Sequence, residues 1–146
     1  MPRLKLNPLP TYPFSCELVV RTTDLNYGGH LGNDRLLSLV HEARVAFLAS
    51  HRLSELEFGG VSLILADAAV IYQAEAYAGN RLVFEVAATE PSRTGFRIFY
   101  RVTRSDDGQS IALVENGMAC FDYGSRKVAV LPAAVKNSTF FGDQET

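Results

Sequence analysis

The chain has 146 residues, of which 47% are hydrophobic and 21% charged, with a formal net charge of -2. That length suits one domain with a single core, and that composition excludes a largely disordered chain. The near-neutral charge, without any basic run, argues against nucleic acid as the main partner.

Residues 1–13 are punctuated by prolines and read as extended. The opening MPRLKLNPLPTYPF has prolines where a secretory leader needs a continuous apolar segment. The longest apolar run, ILADAAVI, is too short for a bilayer and carries Asp67. The expectation is a cytoplasmic protein with no membrane association, in which the NST at Asn137 is not glycosylated. FSCELVVRT (14–22) alternates and is rich in β-branched residues, so it reads as a first strand. The polar loop DLNYGGHLGN (24–33) follows.

From Asn33 to about Arg52 the pattern is helical: Leu36, Val40, Ala43 and Phe47 recur at spacings of three and four. Leu37, Leu39, Ala46 and Leu48 widen the apolar side, which predicts a deeply packed helix. Asp34, Ser38, His41, Glu42 and Val45 form the narrower face. Asn33 is the expected N-cap, and Asp34 suits the first turn. FGG (58–60) closes the connection.

Strands make up the rest. VSLILADAAVIYQAEA (61–76) is long and apolar, AGN turns into RLVFEVAATE (81–90), and GFRIFYRVTR (95–104) alternates. In the last, Phe96, Ile98, Tyr100 and Val102 share one face, and Arg97, Phe99, Arg101 and Thr103 the other. SDDGQ is a turn, SIALVENGMACFDY (110–123) another strand, and GSRK leads to a short run, VAVLP. The order predicts an α+β domain, one helix packed on an antiparallel, meander-like sheet. Its apolar edges invite pairing with a second subunit. Asp67 interrupts an apolar strand, so it should be paired, at an interface or exposed at a sheet edge. Cys16 and Cys120 read as buried free thiols. The histidines (His30, His41, His51) and cysteines show no metal-ligand spacing, so no metal is expected.

The stretch RTTDLNYGGHLGNDRLLSLVHEARVAFL (21–48) resembles the hotdog-fold thioesterases of the 4-hydroxybenzoyl-CoA thioesterase type. The shared pattern is an aspartate-rich turn, Gly-His, asparagines, and a helix running into Glu-Ala-Arg. Here these are Asp24, Asn26, Gly29-His30, Asn33 and Glu42-Ala43-Arg44. VIYQAEAYAGNRLVFEV and ACFDYGSRKVAVLP are similar to the family's later strands. The resemblance covers about residues 14–135 of a single hotdog domain spanning 1–146. It implies one long helix wrapped by a five- or six-stranded antiparallel sheet, self-association as a dimer or tetramer, and a site between subunits at the helix N-terminus. The implied substrates are small acyl thioesters of coenzyme A or of an acyl-carrier protein. Coenzyme A then enters as part of the substrate, and no separate cofactor is implied.

Thioester hydrolysis needs a stabilised oxyanion and an activated water. A helix N-terminus offers unpaired N–H groups and a positive dipole end, and glycine admits close approach to the backbone. Tyr27, Gly28, Gly29 and Asn33 are therefore the candidate substrate-binding residues, with Gly29 and His30 N–H groups as oxyanion donors. The His30 side chain is a candidate for steering the carbonyl. Arg93, after the EPSR turn, is a candidate for a CoA phosphate. Phe47, Tyr27, Phe96 and Tyr100 are candidates for lining the acyl pocket. Asn26 departs from the resembled pattern, where an aspartate commonly serves as nucleophile or base; an amide cannot ionise. Glu42, on the helix's polar face, is the preferred base and Asp24 the second choice. A hydratase of the same fold, and a binder that does not turn its ligand over, stand as alternatives.

Overall fold

The computed structural model describes residues 3–142. Strand β1 (Phe14–Val19) leads through a 3-10 turn at Thr22–Asp24 and a tight loop into helix α1 (Asn33–Ser50). Strands β2 (Ser62–Tyr72), β3 (Arg81–Thr89), β4 (Gly95–Arg104) and β5 (Ser110–Asp122) follow. The short β6 (Lys127–Val128), a helical turn α2 (Ala133–Lys136) and a second 3-10 turn (Thr139–Phe141) complete the described chain. All strand pairs are antiparallel, in the order β1-β3-β4-β5-β2, with β6 added to β5.

The core lies between α1 and the sheet. Leu36, Leu39, Val40, Ala43, Phe47 and Leu48 are buried along the helix. The alternation expected in β4 holds residue by residue: Phe96, Ile98, Tyr100 and Val102 are buried, and the intervening side chains face outward, half-buried. Phe47, Phe58, Phe96, Phe140 and Phe141 stack into one aromatic cluster at the far end from the loop. Phe47, Phe96 and Tyr100 are thus core residues, not the walls of an acyl pocket.

Three boundaries differ from expectation. The helix stops at Ser50 because Arg52 takes a left-handed conformation (φ 61°), with the Leu53 amide donating back to Leu48. Strand β2 stops at Tyr72, four residues early. There the amides of Gln73 and Ala74 both reach the single carbonyl of Ile111, so the ladder register breaks. Residues 73–76 then bend toward the loop, and Ala76 accepts from the Leu31 amide. The third boundary is the N-cap. Gly32 holds that position, with extended backbone, and Asn33 is already the first helical residue.

The helix is also less deeply packed than its composition predicts. Leu37 of the apolar side is 40% exposed, Val45 is 47% exposed on the expected narrower face, and Leu65 of the edge strand β2 is 49% exposed. Leu37, Leu65 and Ala68 line an open groove between α1 and β2. Asp67 lies on this edge strand, exposed and paired with Arg97 at 2.6 Å. Cys120 is buried, which pushes its thiol up to about 11, and Cys16 is half-buried; both are free.

Candidate active site

The loop before α1 is a small hairpin. Leu25 and Leu31 form an antiparallel bridge, the Asn26 amide donates to His30 O, and the Gly32 amide donates to Asp24 O. Gly29 closes the turn with φ at 82°, a conformation glycine adopts without strain. Most of the polar groups in this loop build it. Asp24 is fully buried and accepts from the Arg21 backbone amide (2.8 Å) and from its guanidinium (3.0 and 3.1 Å). Those Arg21 hydrogen bonds hold its carboxyl below the usual range. A carboxylate with no exposed surface and three donor contacts around it has no approach for a water, which argues against Asp24 as base. Asn26 Oδ1 accepts from the amides of Gly28 (2.9 Å) and His30 (3.4 Å).

These bonds also engage the expected oxyanion donors. The Gly29 amide donates to Asn26 O and the His30 amide to Asn26 Oδ1, so both expected donors are engaged within the loop. Tyr27, Gly28 and Gly29 sit exposed on the hairpin tip. The unpaired donors are one turn further on. Gly32 has no side chain to cap the helix, and no described residue accepts from the amides of Asn33, Asp34 or Arg35. A glycine at the cap forgoes only a few tenths of a kcal/mol of helix stabilisation relative to a side-chain cap and leaves those N–H groups and the positive end of the dipole available to a ligand.

A cleft of about 240 Å³ opens at this point, lined by His30, Gly32, Asn33, Leu36, Tyr72, Ala74, Glu75, Ala76 and Ile111 among others. Its floor is apolar, through Leu36, Ala74, Ala76 and Ile111. Tyr72 donates from its hydroxyl to Asn33 O (3.0 Å), which ties the strand to the helix start. Burial, with the Asp34 carboxylate nearby, raises the Tyr72 phenol above its usual value and keeps it a donor. His30 is the one candidate catalytic side chain that reaches the cleft. Its Nε2 lies 3.6 Å from Glu75 Oε1, and its Nδ1 lies 3.4 Å from Leu31 O.

The other candidates lie elsewhere in the chain. Glu42 is exposed on the helix about 13 Å along the axis from Asn33 at 1.5 Å per residue, and does not line this cleft. Arg93 is exposed on the β3–β4 turn, beside the Thr94–Cys120 contact. Cys120 pairs with Leu63 at the start of β2, about 30 Å from Tyr72 at 3.3 Å per residue.

Sequence reasoning missed Glu75, because residues 73–76 read as more strand. It also missed a buried polar network at mid-helix. Arg44, 5% exposed, donates through Nε to Glu55 (2.8 Å) and through Nη1 to Asn116 (2.8 Å). Tyr100 donates to the same Asn116 oxygen (2.7 Å), and His41 lies 2.9 Å from the other Glu55 oxygen. Burial pushes Glu55 up, but hydrogen bonds from His41 and Arg44 outweigh it and hold the carboxyl below its usual value. Burial raises the Tyr100 phenol strongly. The signal available in sequence was Asn116, beside Glu115 in a largely apolar strand.

Comparison with known proteins fits this geometry. The family model of the thioesterase-like superfamily matches residues 20–138. A 1,4-dihydroxy-2-naphthoyl-CoA hydrolase of Synechococcus elongatus is 30% identical over 128 residues, covering 85% of this chain and 93% of the relative. The crystal structure of a 1,4-dihydroxy-2-naphthoyl-CoA thioesterase from Synechocystis superposes with a TM-score of 0.79 at 26% identity, over 91% of this chain and 98% of the other. A Staphylococcus aureus protein solved in complex with CoA shares the fold, with a TM-score of 0.79 at 16% identity, over 96% of this chain and 91% of that one. Nothing among these relatives favours the hydratase or binder alternatives. With its hotdog topology, its cleft at an uncapped helix start and these matches, the chain belongs to the thioesterase-like superfamily and is a thioester hydrolase.

Proposed function

We propose that the substrate is a coenzyme A thioester of an aromatic acid, hydrolysed in the cleft at the head of α1. The observation that carries this is the coincidence, at one cleft, of the uncapped start of α1, whose Gly32 and Asn33 lie in the lining and whose first-turn amides are unpaired, with an apolar floor and the Tyr72 ring. The donors suit the carbonyl oxygen as it gains charge, and the floor suits an apolar acyl group. The naphthoyl-CoA specificity in the names of the relatives supports an aryl group over a long alkyl chain. The Asn26 amide nitrogen and Arg93 are left as groups for the substrate to meet.

The assembly is a dimer or tetramer. Edge strand β2 carries exposed Leu65, Ala66 and Ala68, and the adjoining α1 face exposes Leu37 and Val45. Two-fold pairing along β2 would cover both patches. It would also bring the far end of the partner's sheet, where Arg93 lies, toward the cleft of the first subunit.

The test is thiol release from a panel of CoA thioesters, with benzoyl-CoA and 1,4-dihydroxy-2-naphthoyl-CoA set against octanoyl-CoA, while sedimentation is followed at micromolar concentration. The expected result is faster release from the aryl esters by a species larger than a monomer. Preference for octanoyl-CoA overturns the aryl reading, and a stable active monomer overturns the assembly.

A further inference from the structure

We propose that Glu75 is the general base of this hydrolase, acting on a water held between its carboxylate and His30. The inference rests on the thioester-hydrolase reading and deepens it. Asn26 cannot take a proton, Asp24 is buried against Arg21, and Glu42 lies outside the cleft. Glu75 is the one carboxylate among the residues that line it.

Its surroundings are built to aim it. The Tyr77 hydroxyl donates to Glu75 Oε2 at 2.8 Å, which leaves Oε1 turned toward His30. The peptide is pinned on both sides. Arg104 Nη1 donates to Glu75 O at 3.0 Å, and the Leu31 amide donates to Ala76 O at 2.8 Å. Arg104 is itself held by Asp107 at 2.9 and 3.0 Å. The break in β2 that sequence periodicity does not show is what turns this peptide into the cleft wall.

The His30 geometry specifies the partner. With Nδ1 donating to Leu31 O, Nε2 presents a lone pair. Glu75 Oε1, 3.6 Å away, presents another. Two acceptors at that spacing do not bond to each other; they suit one donor between them, and a water has two O–H groups to offer. In the reaction Glu75 Oε1 takes one water proton as the water oxygen bonds to the thioester carbon. The carbonyl π electrons move onto its oxygen, facing the α1 amides. When that oxygen re-forms its double bond the C–S bond breaks, and the leaving thiolate takes the proton back from Glu75. The products are the acid and the free thiol, and Glu75 ends as it began.

The experiment compares wild type, Glu75→Gln and Glu42→Gln on benzoyl-CoA and 1,4-dihydroxy-2-naphthoyl-CoA, reading kcat and KM separately. Glu75 is exposed, with 58% of its side chain accessible, and Gln keeps an oxygen for Tyr77, so folding is expected to survive and is checked by thermal melting. The expected result is a kcat lower by roughly 10²–10⁴-fold for Glu75→Gln, as for loss of a general base. KM should stay within about threefold and Glu42→Gln near wild type. Tyr77→Phe, which removes the hydroxyl that turns Oε1 toward His30, should lower kcat by roughly 2–10-fold, the size of one net hydrogen bond. If wild type releases thiol and Glu75→Gln keeps its kcat, the base assignment falls and the hydrolase reading stands. If Glu42→Gln is the variant that loses kcat, the base is Glu42. If wild type releases no thiol from any ester, the hydrolase reading falls and takes the base assignment with it.

Discussion

Helix α1 carries two polar clusters, one at its head and one at its middle, and they are opposites. At mid-helix, Arg44, Glu55, Asn116 and Tyr100 are closed on one another, and Arg44 and Asn116 are almost wholly buried. At the head, the first-turn amides are without a described partner, and His30 Nε2 and Glu75 Oε1 lie 3.6 Å apart at the cleft with no hydrogen bond between them. A satisfied buried network fixes a helix on its sheet. Donors and acceptors held close together but unspent are groups kept for a ligand. The same residue types serve architecture in one place and chemistry in the other, and the difference is whether their hydrogen bonds are already made.

The comparison breaks first at the middle. Arg44→Met removes the charge that Glu55 faces and one partner of Asn116. Deleting one member of a buried pair costs about 3–5 kcal/mol. Here the low end is expected, because His41 still meets Glu55 and Tyr100 still donates to Asn116. Chemical denaturation should show that loss, and kcat of the folded enzyme should stay within about threefold. A large fall in kcat with unchanged stability would make the mid-helix network part of the chemistry.

The head should respond in the reverse sense. Proline is tolerated at the first helical position, where the lost N–H had no helical partner. Gly32 before it already has the extended conformation that a following proline requires. Asn33→Pro should therefore melt near wild type. Loss of one oxyanion donor should lower kcat by about 10²–10³-fold. Wild-type turnover in this variant would remove the Asn33 amide from the oxyanion site and leave the amides of Asp34 and Arg35.

The smallest expected effect separates the loop's scaffold from its cleft. Asp24 has a folded-state pKa held below its unfolded value of about 3.9 by Arg21. A depressed carboxylate adds stability above the unfolded pKa and loses it as pH falls through the folded one. Asp24→Asn should therefore flatten the stability–pH curve below about pH 4. It should lower stability at pH 7 while leaving kcat of the folded protein largely intact. A dead but stable Asp24→Asn would return Asp24 to the role of base.

Much of this molecule is legible in its sequence. The period of α1 and the alternation of β4 fix the element types, because burial on one face leaves a periodic trace in the chain itself. The loop at 24–33, with its glycines, histidine and capping residues, marks the helix start as the candidate site. The resemblance of residues 21–48 gives the fold. What sequence periodicity does not carry is which polar groups find partners. In the string Glu42 is preferred as base over Asp24, with Asn26 as a holding group, yet Arg21 occupies Asp24, the loop amides engage the Asn26 oxygen, and Glu42 lies along the helix from the cleft. Asn33 looks like the cap, and Gly32 is. Glu75 looks like one more residue of a strand, until a shared carbonyl at Ile111 breaks the ladder and turns it toward His30. Periodicity reports the average environment of a face. Hydrogen-bond partnership is decided residue by residue between segments far apart in the chain, so the elements and the place of the candidate site were written in the sequence, and which of its polar groups are already spent was decided only by the tertiary structure.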